Sequence, residues 1–149
     1  MGVPWLGWVC GRCERCTSGQ ENLCADARFT GYQRDGGYAE YAVADARYVF
    51  PLPARYDDAH AAPLLCAGLI GYRAYAMAAD APILGIYGFG GSAHLTAQVA
   101  MAEGTRVHVL TRSAQAQQLA LDLGAASVGA EADAPPEPLD AAILFAPVG

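Results

Sequence analysis

The chain has 149 residues, of which 54% are hydrophobic and 16% are charged, and its formal net charge is −6. This composition excludes a disordered chain, and the nine scattered lysines and arginines argue against a surface that binds nucleic acid or lipid headgroups. No apolar run approaches the roughly 20 residues of a membrane-spanning helix. No basic segment precedes the first apolar run, so we expect a cytoplasmic protein with reduced cysteines.

The first 55 residues are rich in glycine, proline and aromatic residues. After a turn signal at residues 35–37, side chains alternate with a period of two over residues 38–43, which predicts a β-strand. The sequence YVFPLP predicts a second short strand that ends at Pro51 and Pro53.

An alanine- and leucine-rich segment over residues 57–79 predicts a helix that Pro63 divides. From Ile83 onward, the patterns predict the order β-α-β-α-β-β, with one helix opened by Ser113 and closed by Gly124. This order is the start of a doubly wound parallel sheet, so the predicted fold class is α/β.

Four of the five cysteines share the spacing C-x2-C-x2-C-x7-C. Tetrahedral zinc needs four ligands, and the short gaps let a tight loop present successive sulfurs to one ion. Four thiolates leave no position for water, so we expect a structural zinc ion. The alternatives are two disulfides, which need an oxidising compartment, and an iron–sulfur cluster, which usually has another spacing. The four residues are Cys10, Cys13, Cys16 and Cys24.

A glycine turn with the pattern G-x-G-x-x-A follows the apolar run at residue 83 and opens a helix. In this context the pattern predicts a site for a dinucleotide pyrophosphate at the helix N-terminus, although such a turn can also bind nothing. The residues of the turn are Gly88, Phe89, Gly90, Gly91, Ser92 and Ala93.

Thr111 and Arg112 occupy the end of the second strand, where an NAD site usually has an acidic residue. Arginine pairs with a 2′-phosphate and threonine can donate a hydrogen bond to it, so this pair favours NADP(H) over NAD(H). The alternative is that Arg112 only points to solvent.

The remaining cysteine and the histidines carry weaker signals. Cys66 lies in an apolar helical run and by itself indicates a buried packing residue. His60 and His94 are expected to be exposed or to cap a helix. His108 lies between two valines of a parallel strand and is expected to be structural.

In combination, these motifs resemble the zinc-dependent alcohol dehydrogenases of the medium-chain dehydrogenase/reductase superfamily. Four passages carry the resemblance in order: CGRCERCTSGQENLC, DGGYAEYAV leading to FPLP, APLLCAGLIGYRAY and GIYGFGGSAH. The resemblance implies that residues 1–65 are the C-terminal portion of a GroES-like β-barrel catalytic domain with a structural-zinc lobe. It implies that residues 66–149 are the first half of a Rossmann domain.

The resemblance also implies roles for particular residues. Cys66 would give one thiolate to a catalytic zinc, which revises its interpretation as a packing residue. Ala146, Pro147 and Val148 would lie near the nicotinamide ribose. The expected substrates are an alcohol and its aldehyde, and a homo-oligomer, dimer or tetramer, is expected for a full-length protein.

Three departures from the family pattern qualify these expectations. In the family, a preceding cysteine and a Gly-His-Glu passage supply the other catalytic ligands. This chain has no cysteine before Cys10 and no Gly-His-Glu passage. Ile70 replaces a threonine that contacts the nicotinamide. The chain is also short, so we expect an internal fragment that is inactive alone. The alternatives are a quinone or enoyl reductase of the same superfamily, and a non-catalytic module that binds zinc or nucleotide.

Overall fold

The computed structural model describes residues 1–146, and the chain divides into two units, Met1–Cys66 and Ala67–Gly149. The division lies one residue after the predicted domain boundary, and the assignment of the units to the two family domains stays a prediction. No helix among the described residues is long and apolar enough to cross a membrane.

The first unit consists mainly of loops around short elements. Strand β1 (Leu6–Trp8) pairs antiparallel with β2 (Arg28–Phe29). The helical elements are α1 (Glu14–Thr17), α2 (Asp58–Ala61) and three 3-10 helices at Glu21–Leu23, Ala46–Tyr48 and Ala62–Leu65.

Two strands predicted in this unit differ from the structure. Residues 38–43 form no strand, and Tyr38, Tyr41 and Val43 are almost fully exposed. Phe50 forms only an isolated antiparallel bridge, with Gly2. A strand exists only where a neighbour completes the hydrogen-bond ladder, and no segment of residues 1–146 pairs with residues 38–43. The prediction of a strand at residues 38–43 is therefore wrong, although their side chains alternate with a period of two.

The second unit contains a four-stranded, all-parallel sheet with the order β5–β4–β3–β6. The two central strands are almost entirely buried. The elements follow the predicted order. They are α3 (Ala67–Ala76), β3 (Ile83–Tyr87), α4 (Gly91–Ala102), β4 (Arg106–Leu110), α5 (Ala114–Asp122), β5 (Ser127–Gly129) and β6 (Ala141–Leu144). On one face of the sheet, side chains of the central strands join a core that includes residues of α4 and α5, and on the other face His108 contacts Glu137 in the segment before β6.

The predicted ends of α5 are confirmed. The Ser113 hydroxyl accepts a hydrogen bond from the backbone N–H of Ala116 at 3.2 Å. Gly124 follows the helix with φ of +104°, a left-handed conformation that favours glycine. Pro63 likewise separates α2 from α3, because a 3-10 helix occupies Ala62–Leu65 between them.

The predictions for His60 and His108 are also confirmed, whereas His94 is half-buried within α4 and does not cap it. His60 is exposed beside the N-cap residue Asp57, whose carboxylate accepts from its backbone N–H at 2.8 Å. His108 is buried in β4, where its ring nitrogens lie 2.7 Å from the Ser127 hydroxyl and 2.9 Å from the Glu137 carboxylate. These contacts give His108 a structural role, joining β4 to β5 and to the segment before β6.

Helices α3 and α4 pack closely because Gly71 has no side chain. A Cβ there would meet the Thr96 hydroxyl and would lie 2.9 Å from the Ser92 carbonyl oxygen. Since Ser92 belongs to the first turn of α4, this contact helps to position the glycine turn.

We expect Gly71→Ala to lower the free energy of unfolding by about 1–3 kcal/mol, because the added methyl group overpacks a backbone contact. Denaturant unfolding measures the change. Gly90→Ala is the matched control, since no described residue apart from its chain neighbours lies within 4 Å of its added Cβ. Equal stability of Gly71→Ala and the wild type would contradict the packing.

Candidate metal centre and dinucleotide-binding turn

The four clustered cysteines converge on one point in the first unit. Their sulfurs all lie within 4.8 Å of one another, with Sγ–Sγ distances of 3.9 Å from Cys10 to Cys16 and 3.5 Å from Cys13 to Cys16. Zinc–sulfur bonds of about 2.3 Å in a tetrahedron place sulfurs about 3.8 Å apart. The side chains therefore fit a single zinc ion, whereas two disulfides would pair the sulfurs two by two.

Local structure explains how a short segment presents four sulfurs to one centre. Cys13 and Cys16 are the N-cap and third residue of α1, so they lie on neighbouring turns. Gly11 and Gly19 adopt positive φ values of 71° and 75° and reverse the chain on either side of this helix. Cys24 ends the following 3-10 helix and is buried.

The thiols of this cluster differ in acidity. Backbone N–H groups of Arg12 and Cys13 lower the pKa of Cys10 to about 6. Desolvation is the largest cause that raises the pKa of Cys16 to about 12, and a hydrogen bond with Cys13 is the second. Zinc binds thiolates, so loading the cluster must displace protons from its less acidic thiols.

Cys66 has an exposed thiol after the 3-10 helix at Ala62–Leu65. The alternative interpretation of Cys66 as a buried packing residue is therefore wrong. Within residues 1–146, only the four clustered cysteines form a group of three or more potential metal ligands, and Cys66 is not among them. Its role as a ligand of a catalytic zinc stays a prediction.

The glycine turn lies where the strand order of the sheet reverses. Strands β4 and β5 lie on one side of β3 and β6 lies on the other, and ligands of open α/β sheets bind at such a switch point. Gly88 follows β3 directly with φ of +84°, and its N–H donates to the Leu110 carbonyl at 2.8 Å. A Cβ at Gly88 would lie 2.8 Å from the backbone nitrogen of Ala146, so the turn requires glycine there.

The remaining residues of the turn divide into an open side and a core side. Gly90 is the N-cap of α4, and a Cβ built there would lie more than 4 Å from every described residue outside its neighbours, so a phosphate could approach. Gly91 is exposed and Ser92 is half-buried. Phe89 and Ala93 belong to the hydrophobic core, and Ala93 is 1% exposed. Twelve residues of helix with an open N-terminus can hold an anion.

The two residues predicted to select the cofactor have different environments. Thr111 is buried, and its backbone N–H donates to the Gly129 carbonyl at 2.9 Å. Arg112 is exposed, and its Nε lies 3.2 Å from Glu131 Oε1. Arg112 is therefore exposed to solvent, but it does not only point to solvent, because its guanidinium also pairs with an acidic side chain. No sequence motif points to Glu131, which lies 19 residues further along the chain in a polar, proline-rich segment.

Ala146 lies beside this turn, and its N–H donates to the Tyr87 carbonyl at 3.2 Å. Pro147 and Val148, the other two residues predicted near the nicotinamide ribose, lie outside the described residues.

Known proteins resemble this chain over its whole length. Residues 2–54 match the family model described as the alcohol dehydrogenase GroES-like domain. A probable alcohol dehydrogenase of Mycobacterium tuberculosis is 56% identical over 151 aligned residues, which cover 100% of this chain and 44% of that protein. An alcohol dehydrogenase of Geobacillus stearothermophilus is 44% identical over 127 residues, covering 84% of this chain and 38% of that protein.

The fold has counterparts among solved structures. The crystal structure of CAD from Helicobacter pylori, complexed with NADP(H), has a TM-score of 0.86 and 29% sequence identity to this chain. The match covers 98% of this chain and 45% of that one, so the chain spans less than half the length of each of these three proteins. These matches confirm the predicted fold class and the resemblance on which it depends. Residues 2–54 therefore match the alcohol dehydrogenase GroES-like domain, and the whole chain is similar to one part of the longer alcohol dehydrogenases.

Proposed function

We propose that this chain supplies the structural-zinc lobe and the phosphate-binding turn of an alcohol dehydrogenase. The enzyme would transfer a hydride between an alcohol–aldehyde pair and a nicotinamide cofactor. The observation that carries the proposal is the presence, in one chain, of four converging thiols and an open glycine turn at the switch point of a parallel sheet. By family resemblance, the enzyme would act as a homo-oligomer.

The zinc part of the proposal concerns two kinds of site. The clustered thiols at Cys10, Cys13, Cys16 and Cys24 would hold a structural ion and stabilise the loop between β1 and β2. Cys66 would contribute one thiolate to a catalytic ion, which when bound polarises the alcohol oxygen. The cysteine and the Gly-His-Glu passage that complete this second site in the family have no counterparts in these 149 residues.

The cofactor part of the proposal depends on the second unit. The N–H groups of the turn at residues 88–93 and the N-terminal end of α4 would bind the pyrophosphate. The exposed Arg112 would pair with a 2′-phosphate, so NADP(H) is favoured over NAD(H). Thr111 is buried, so its role would be to place Arg112 at the end of β4 through its backbone hydrogen bond to Gly129.

One experiment tests the function as a whole. The purified chain should contain about one zinc per molecule and bind NADP⁺, but it should not produce NADPH with a panel of primary alcohols. Absence of both zinc and cofactor binding would refute the proposal. Alcohol turnover by these residues alone would show that the catalytic site does not need the two missing ligand passages.

We expect Arg112→Ala to weaken NADP⁺ binding at least about tenfold, because a charge-assisted hydrogen bond contributes about 1.5–3 kcal/mol. The dissociation constant of NAD⁺ should not change, because NAD⁺ has no 2′-phosphate. Isothermal titration with both cofactors measures the two constants. An unchanged NADP⁺ constant would mean that Arg112 does not select the cofactor.

A further inference from the structure

We propose that Glu131 is a second determinant of cofactor choice, which opposes Arg112 and limits the preference for a 2′-phosphate. This inference rests on the proposed dinucleotide site. No sequence motif identifies Glu131, because only the pairing of β5 with β4 brings it close to Arg112.

The sheet brings the two side chains together at the carboxyl ends of adjacent parallel strands. The Thr111 N–H donates to the Gly129 carbonyl at 2.9 Å, which joins the chain just after β4 to the end of β5. Arg112 follows Thr111 directly and Glu131 lies two residues after Gly129, and both are exposed. Their side chains meet with Nε 3.2 Å from Oε1, and they are 72% and 38% exposed.

Glu131 is held near this position by the segment that carries it. The Asp133 carboxylate accepts from the Ala130 N–H at 2.7 Å, which closes a tight turn around Glu131. Further along, the Glu137 carboxylate lies 2.8 Å from Arg106 and 2.9 Å from His108, so the segment is anchored again to β4. The acidic side chain therefore stays close to the carboxyl end of β4.

The chemistry of the pair opposes a 2′-phosphate in two ways. The carboxylate forms an ion pair with the Arg112 guanidinium, so a phosphate must compete for the same positive charge. A carboxylate also repels a phosphate, whereas it can accept a hydrogen bond from the 2′-hydroxyl of NAD(H). Because the pair is exposed, its strength corresponds to a factor of about two to five in affinity.

Glu131→Gln tests the inference, with adenosine 2′,5′-bisphosphate and 5′-AMP as probes that need only the adenosine half of the site. We expect the affinity for the bisphosphate to rise about two- to fivefold while the affinity for AMP stays equal or falls. Glu131→Ala is a second variant with the same expected direction. Glu40→Gln, which makes the same change in net charge in the first unit, should leave the ratio of the two affinities unchanged.

Arg112→Ala tells whether Glu131 acts through the guanidinium. In that background, Glu131→Gln should change the affinity ratio less than it does in the wild type, because only the direct repulsion between carboxylate and phosphate remains. An unchanged ratio in both Glu131 variants would overturn the inference. If the wild-type chain binds neither probe, the proposed dinucleotide site itself is wrong, so the two failures are distinguishable.

Discussion

Cys13→Ser is expected to lower the zinc affinity of the chain about 100-fold or more. Loss of a hydrogen-bonding partner behind a metal ligand already costs about 10- to 100-fold in affinity, and loss of the ligand itself should cost at least as much. Serine is nearly isosteric with cysteine, but its hydroxyl does not ionise near neutral pH and does not replace a thiolate. Competition with a chromogenic chelator measures the affinity, and metal analysis gives the zinc content per chain.

Cys66→Ser is the matched control, because it makes the same chemical change at an exposed thiol outside the cluster. This variant should keep about one zinc per chain with wild-type affinity, since the four clustered sulfurs are intact. Loss of zinc from Cys66→Ser, or full retention by Cys13→Ser, would show that the metal is not held by the four-cysteine cluster.

The second unit was largely predictable because its signals are local. Residues 83–87 and 106–110 are rich in apolar side chains and largely buried in a parallel sheet, and this pattern needs no knowledge of distant partners. Ser113 and Gly124 mark the ends of α5 through contacts with their own chain neighbours. The cysteine cluster was predictable for the same reason, since its four residues lie within one short segment.

The features that the sequence does not predict correctly depend on residues that are distant along the chain. The alternation over residues 38–43 is a valid strand pattern, but a strand also needs a partner, and no described segment provides one. The ion pair between Glu131 and Arg112 depends on the pairing of β5 with β4, and sequence spacing alone does not predict it. Charge partners across a sheet edge are therefore the part of this site that sequence motifs describe least well.

Gly90→Ala is expected to weaken binding of NADP⁺ about tenfold or more while leaving the stability of the chain unchanged. The backbone at Gly90 has φ of −101°, which alanine adopts without strain, and no described residue apart from its chain neighbours lies within 4 Å of the added Cβ. The methyl group would instead occupy the space above the N-terminus of α4, where the pyrophosphate would lie. Overpacking of this kind costs about 1–3 kcal/mol, and here the cost appears only in the complex.

Gly88→Ala, two residues earlier, should give the opposite combination. With φ of +84° and the Ala146 nitrogen 2.8 Å from the added Cβ, this variant should lose about 1–3 kcal/mol of unfolding free energy even without cofactor. Thermal unfolding with and without NADP⁺, run on both variants, separates the two effects. If Gly90→Ala binds NADP⁺ as tightly as the wild type, the pyrophosphate does not approach this glycine, and the turn serves only to connect β3 to α4.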